Sequence, residues 1–304
     1  MSSAMKLRTL LLAPFAALAL TSNAPAQDVL IQPQTTAEVV RPALWKLADH
    51  DTTIFLFGTI HLLPEGINWY AGPVAEAFES SDLLITEIPE DVGGASAGLL
   101  MKHGVQPAGQ SLRAMMSPSE RGTFEAALAQ QGIPAAAFDR YKPWFAAVAL
   151  ATLPLQREGF QLNQGVEAQL ELRNKARGKS RQGLETLEYQ LSIFSRLAPA
   201  VQKRYLFQVI EALPTIREDV GKMVSAWAAG DAAALAALIN AEEEDPAMYQ
   251  ALLTDRNKNW AVWIAKRMER PGTVFIAVGA GHLGGKDSVQ DVLAKAGHQT
   301  SRVQ

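Results

Sequence analysis

Short apolar runs that read as buried strands lie at the two ends of this chain, and helix-period patterns fill the space between them. Near the start, Ala43 to Leu47 and Ile54 to Phe57 read as two strands joined through the polar turn Asp49-His50-Asp51. Pro73 to Ser80 reads as a helix and Asp82 to Ile88 (DLLITEI) as the next strand. Strand, helix, strand at this spacing is a βαβ unit, with a parallel pair and a right-handed crossover. Glu87, at the end of the second strand, is thereby expected near the end of the first. From about Ser117 to Arg270 the periodicity is helical, with breaks at Gly132-Ile133-Pro134, Pro143, Pro154, Pro199 and Pro214 and one strand at Ser180 to Leu184. Ser117-Pro118-Ser119-Glu120 supplies a capping serine, a first-turn proline and an acidic charge. The closing segment repeats the opening logic: strand Thr273 to Val278, helix Asp287 to Ala296, and a last strand through Val303. The pattern predicts an α/β fold, a mixed β-sheet built from N- and C-terminal βαβ units, with a helical central region inserted at about 117–270.

The two apolar runs that anchor these units end in the same four-residue pattern. IFLF is followed by Gly58-Thr59-Ile60-His61, and TVFIAV by Gly279-Ala280-Gly281-His282. Two of the five histidines therefore stand at matching strand ends, 221 positions apart in sequence. Open α/β sheets bind ligands in the crevice beyond the carboxyl ends of their strands. A histidine at such a place can also do no more than hydrogen-bond the backbone. Two matching ones, with Glu87 on a neighbouring strand, favour an assembled site. His50, His103 and His298 fall in turns or near element ends and are expected at the surface.

Charge and composition exclude more than they assign. The net charge of −3, with 48% hydrophobic and 19% charged residues, gives no electrostatic case for nucleic acid or an anionic membrane. The acidic run Glu242-Glu243-Glu244-Asp245 reads as a solvated helix end. The absence of cysteine removes disulfides, thiolate ligands, a thiol nucleophile and a lipoprotein anchor. Lys6 and Arg8, the short apolar stretch Thr9 to Leu20 and the small residues of Ala24-Pro25-Ala26 have the form of a secretory signal over residues 1–26. The alternative is an uncleaved anchor. The expectation is a periplasmic or secreted protein with no transmembrane segment in its mature chain, preceded by an exposed lead-in over residues 27–42.

FLFGTIH, DLLITEI, GVEAQLELRNKARGK followed by GLETLEYQL, TDRNKNWA and FIAVGAGHLGGKDSVQDVLAKAG together resemble the TraB/GumN family, in order and over nearly all of the mature chain, residues 43–304. That family includes the TIKI proteins, divalent-metal-dependent proteases. The resemblance implies a shared α/β scaffold whose site is built from the two GxxH motifs and an early glutamate. Carried over, the metal ligands are His61, Glu87 and His282, the ion Mn, Co or Zn, and the substrate a peptide or protein.

Residue chemistry is compatible with that implication. Imidazole and carboxylate suit those metals, and a catalytic ion keeps open positions for water and substrate. A second carboxylate would take the proton from bound water. Glu185 and Glu188 of GLETLEYQ are candidates, although residues one turn apart often just decorate a solvated helix face. Arg256 in TDRNKNW either orients a carboxylate or forms a structural ion pair.

Competing motifs fail on context. Gly279 to Gly284 fits GxGxxG, but the chain ends before the acidic partner a dinucleotide site needs. Gly94-Ala95-Ser96-Ala97-Gly98 fits GxSxG without the preceding strand of a nucleophile elbow, and reads as a loop or helix start. Gly284-Gly285-Lys286 lacks the earlier glycine of a phosphate loop, and no HExxH is present. The expectation is an exported divalent-metal-dependent hydrolase, peptidase-like. The rival is a non-catalytic envelope protein, binding or regulatory, on the same scaffold.

Overall fold

The computed structural model describes residues 39–88, 95–240 and 246–304. The expected signal over residues 1–26, the first part of the lead-in, and the acidic run at 242–245 lie outside the described residues. The lead-in's last residues are docked: Val40 N donates to Asn68 O and Arg41 N to Ala228 O, and Pro42 is buried.

The strands are β1 (Leu44–Ala48), β2 (Thr52–Thr59), β3 (Leu63–Pro64), β4 (Leu83–Thr86), β5 (Phe160–Gln161), β6 (Ser180–Gly183), β7 (Gly272–Gly279) and β8 (Ser301–Arg302). Six of them form one mixed sheet in the order β6-β4-β7-β2-β1-β8. The four adjacent strands β6, β4, β7 and β2 run parallel, β1 runs against them, and the short edge strand β8 pairs antiparallel with β1 and so points the same way as the four. The β1–β2 turn forms as expected, because Asp49 Oδ1 accepts from Asp51 N and Thr52 N. The opening βαβ unit differs in one respect. Its two strands are parallel but not adjacent, since β7 inserts between them and pairs with both. Residues from the far end of the chain thus enter the space between His61 and Glu87.

The helices are α1 (Gly72–Ser80), α2 (Ala95–Gly104), α3 (Pro118–Gln130), α4 (Pro143–Arg157), α5 (Val166–Ala176), α6 (Leu187–Arg196), α7 (Pro199–Ala212), α8 (Ile216–Ala228), α9 (Ala232–Asn240), α10 (Pro246–Tyr249), α11 (Asp255–Arg267) and α12 (Val289–Lys295). Two of the expected proline breaks are helix starts, Pro143 and Pro199, in first-turn positions where a missing N–H costs nothing, and Pro134 and Pro214 lie in the connections before α4 and α8. Pro154 is the exception, lying inside α4, which continues past it for three residues. Helix α3 opens with a full capping box between Ser117 and Glu120. No helix among the described residues is long and apolar enough to cross a membrane.

Strand alternation separates two cores. Phe57, Phe275, Ala277 and Leu84 face α1, α5, α8 and α9, where Phe78, Leu170, Trp227 and Leu235 pack. Ile54, Leu56, Val274, Ile276 and Ile85 face α11 and α12 through Trp260, Ile264 and Leu293. A third cluster, around Trp144, Phe194 and Leu206, joins α4, α6 and α7 into a helical body of its own. The apolar run on β7 is continuous because both faces of this central strand are covered.

Candidate functional site

All four parallel strands end on the same side of the sheet, and each delivers one polar side chain there. Register places Thr59 beside Gly279 and Thr86 beside Ala277. Past the strand ends the backbone pairing continues, with Leu184 N donating to Thr86 O and Glu185 N to Glu87 O. This sets Glu87 and Glu185 side by side.

A single guanidinium organises them. Arg256, 1% exposed, donates through Nη2 to Glu87 Oε2 at 2.6 Å and through Nε to Glu185 Oε2 at 3.0 Å. Its Nη1 serves Leu252 O and His282 Nε2, both at 3.1 Å. Leu252 lies in a π-helical turn, Gln250–Thr254, that leads into α11. Such widened turns recur at functional sites. Gln190 Nε2 bridges Glu87 and Glu185, and Trp260 Nε1 donates to Glu185 Oε1. Burial opposes the charge on Arg256, but the two glutamates outweigh it and raise its pKa further. Of the two roles left open for Arg256, the geometry is that of an internal ion pair.

Glycine makes the frame possible. Gly279 N donates to Glu87 Oε1 at 2.7 Å, and a Cβ on Gly279 would lie 3.1 Å from that same oxygen. A Cβ on Gly58 would stand 3.0 Å from the Ala280 methyl, so the two GxxH motifs interlock through the glycine of the first.

The two histidines differ. His282, on the 3₁₀ turn Ala280–Leu283 after β7, is fully buried, with Nδ1 2.6 Å from Asn257 Oδ1 and Nε2 facing Arg256. Burial, then the charges of Arg256 and His61, hold its pKa well below the ordinary value, and the ring is neutral. His61 follows β2, and its Nδ1 lies 2.7 Å from Glu167 Oε1, to which Thr59 Oγ1 also donates. His61 Nε2 is buried and has no protein partner. Burial works against a charge on His61, but Glu167 outweighs it through charge and hydrogen bond, and the pKa rises. Burial likewise resists the Glu167 carboxylate, and the same contact with His61 overrides it and lowers that pKa. Helix α5 reaches His61 because Val166 N donates to Ile60 O across Gly165, where a Cβ would fall 2.2 Å from His61 O.

The expected residues sort as follows. Glu87, Glu185, Arg256 and His282 form one connected buried cluster. His61 stands beside it, close enough for Glu87 and Arg256 to act on its charge. Glu188 is not part of it: it points to the surface and pairs with Lys102 at 2.5 Å. His103, expected at the surface, is instead packed at the α2–α6 contact, with Nδ1 3.0 Å from Ser195 Oγ. Ser96 lies in the first turn of α2, not at a strand-to-helix elbow. Glu167, Gln190, Asn257 and Trp260 complete the site without having been singled out, although all four fall inside segments that carry the family resemblance.

As ligands for one ion, His61, Glu87 and His282 do not fit as arranged. Both Glu87 oxygens and both His282 nitrogens already have protein partners, and a cation shared among them would sit against the Arg256 guanidinium. Only the unpartnered His61 Nε2 is available as a donor. Among the described residues, three ligand-type side chains gather within 4.8 Å only at Asp49, His50 and Asp51. That exposed turn precedes β2, at the opposite end of the strand from His61.

A family model described as the TraB/PrgY/gumN family matches residues 43–302. A protein of Treponema pallidum (strain Nichols), described as uncharacterized, is 22% identical over 267 residues, covering 83% of this chain and 80% of its own length. No solved structure matches.

Proposed function

The chain belongs to the TraB/PrgY/gumN family, and from that membership and the site geometry we propose that it is an exported hydrolase of peptide or similar amide bonds in which His61 is the general base. The observation that carries this reading is the His61–Glu167 pair: Nδ1 is held by a carboxylate, and Nε2 is buried with no protein partner. A base whose second nitrogen is oriented by a third group is the arrangement that nucleophile activation requires. In this reading His61 Nε2 takes a proton from water as its oxygen attacks the scissile carbonyl carbon. The C–N bond then breaks, and the proton passes to the departing amine.

Glu87, Arg256, Glu185 and His282 serve as the rigid floor under this reaction. Arg256 is spent on internal acceptors and does not anchor substrate. Dependence on Mn, Co or Zn, implied by the resemblance to TIKI-type proteases, finds no shared ligand set here. Export rests on residues 1–26 alone, and N-terminal sequencing of protein from the envelope or medium should begin at or near Gln27.

Cleavage of a peptide library by the purified mature protein, in EDTA and with each metal added, tests the proposal. Cleavage by the wild type that disappears in His61→Ala supports it. No cleavage under any condition would favour the rival binding or regulatory role.

A further inference from the structure

The two GxxH histidines occupy matching strand ends, yet their ring nitrogens meet different neighbours. A guanidinium carries only donors. With Arg256 Nη1 at 3.1 Å, His282 Nε2 must therefore accept, which places the ring proton on Nδ1. The other contact agrees. Asn257 Nδ2 donates to Asp287 O at 2.8 Å, which fixes the amide orientation and turns Oδ1 toward His282 Nδ1 at 2.6 Å. The Asp287 carbonyl is itself held in an unusual place: Asp287 has φ of 59°, the one positive φ at a non-glycine among the described residues. Its N–H is tied to Asp291 Oδ2 at 2.9 Å. Strained residues of this kind persist where the surroundings fix them, often at working sites. Trp260 closes the remaining face of the imidazole, with ring centroids 4.3 Å apart.

We propose that Asn257 is a positioning residue that fixes His282 as a neutral Nδ1–H acceptor, and that His282 works by holding Arg256 between Glu87 and Glu185 rather than by binding metal or moving a proton. The second GxxH motif is then not a chemical twin of the first. His61 keeps a nitrogen for substrate water, and His282 spends both on the frame. Only the activity readout of the test below rests on the hydrolase reading.

The decisive measurement is the ring nitrogen spectrum of the full mature chain labelled with 15N-histidine at neutral pH, with His282 assigned by its loss in His282→Gln. A protonated Nδ1 and an unprotonated Nε2 are expected, with the pattern retained in Asn257→Asp, which keeps the acceptor, and lost in Asn257→Leu. The opposite tautomer or a doubly protonated ring in the wild type would overturn the proposal, whatever the activity assay gives. In turnover, His282→Gln can still offer an oxygen near the Nε2 position and should stay within about tenfold of wild type, whereas His282→Leu should lose about a hundredfold in kcat with little change in KM. Equal, near-complete loss in both variants would mean that the imidazole itself is a ligand or proton carrier, and would also overturn it.

Discussion

Arg256 Nη2 lies 2.6 Å from Glu87 Oε2, and neither side chain is more than 2% exposed. An ion pair so deeply buried adds little over a well-packed apolar pair, but breaking it from one side leaves a charge with no water and no partner. Here the same guanidinium also serves Glu185, so its loss strands two carboxylates.

Arg256→Leu is therefore expected to destabilise the protein by about 3–5 kcal/mol or more, read by denaturant unfolding. Arg256→Lys should recover little of this, because one ammonium cannot match the fork that reaches Glu87, Glu185, Leu252 O and His282 at once. A loss below about 1 kcal/mol in Arg256→Leu, as for an exposed pair, would mean that the frame is not structural.

The His61–Glu167 pair sets a pH dependence whose sign follows from the two shifts. The pKa of His61 is raised on folding, so its contribution to stability is complete below its ordinary value near 6.5 and is lost as pH rises through the raised one. The pKa of Glu167 is lowered, so its contribution is present above its ordinary value near 4.5 and is lost as pH falls through the lowered one. If His61 is the proposed general base, turnover needs the unprotonated ring, so the acidic limb of kcat/KM should lie above 6.5. Glu167→Gln removes the negative charge that offsets burial and should move that limb to lower pH, while kcat falls as the ring loses its orientation. A limb that stays in place would separate Glu167 from His61 in function.

The strand ends were legible because glycine after an apolar run is a local signal, and both GxxH motifs lie where that signal puts them. The parallel direction of β2 and β4 followed from one crossover. The insertion of β7 between them did not, because strand order depends on contacts between residues about 200 positions apart, and no local pattern records them. Glu185 and Glu188 show the same limit at residue scale. They are three positions apart, Glu185 just before α6 and Glu188 in its first turn, and only the continued pairing of Glu185 N with Glu87 O decides which carboxylate enters the cluster. Glu167 is a first-turn acid of α5, a position many helices fill with a carboxylate, and its role depends on the close backbone approach at Gly165.

That approach can be tested directly. A Cβ at Gly165 would stand 2.2 Å from the His61 carbonyl oxygen, a backbone atom that cannot swing away. Gly165→Ala should cost about 1–3 kcal/mol and reduce turnover by displacing Glu167 from His61. Gly178→Ala offers a comparison: no atom stands within 4 Å of its Cβ, and the cost there comes from a φ of 63° alone. It should lower stability without a specific loss of turnover, in thermal melts and assays run side by side.

Glu185→Gln and Glu188→Gln should part company. Glu185 accepts from Arg256, Trp260 and Gln190 at 5% side-chain exposure, so replacing its carboxylate breaks one buried ion pair and leaves a donor facing an amide nitrogen, and stability and turnover should fall together. Glu188 holds only exposed Lys102 and the edge of His103, and its loss should cost less than about 1 kcal/mol and leave kcat/KM unchanged. Equal effects would bring the surface carboxylate back into the chemistry.

Metal addition is the sharpest divide between the site as folded and the site the family resemblance implies. An ion bound at a hundred times its dissociation constant would stabilise the chain by about 2.7 kcal/mol, easily seen as a rise in melting temperature. With Arg256 already lodged against Glu87 and His282, a cation there meets a guanidinium rather than open ligand positions, so Mn, Co and Zn are expected to leave the melt unmoved in EDTA-stripped protein. A His50→Ala control removes weak binding at the exposed Asp49-His50-Asp51 turn from the comparison. Uptake of one ion per chain that survives in His50→Ala but vanishes in His61→Ala and His282→Gln would show that Arg256 yields its place, and would return the first and second GxxH motifs to a common role as ligands.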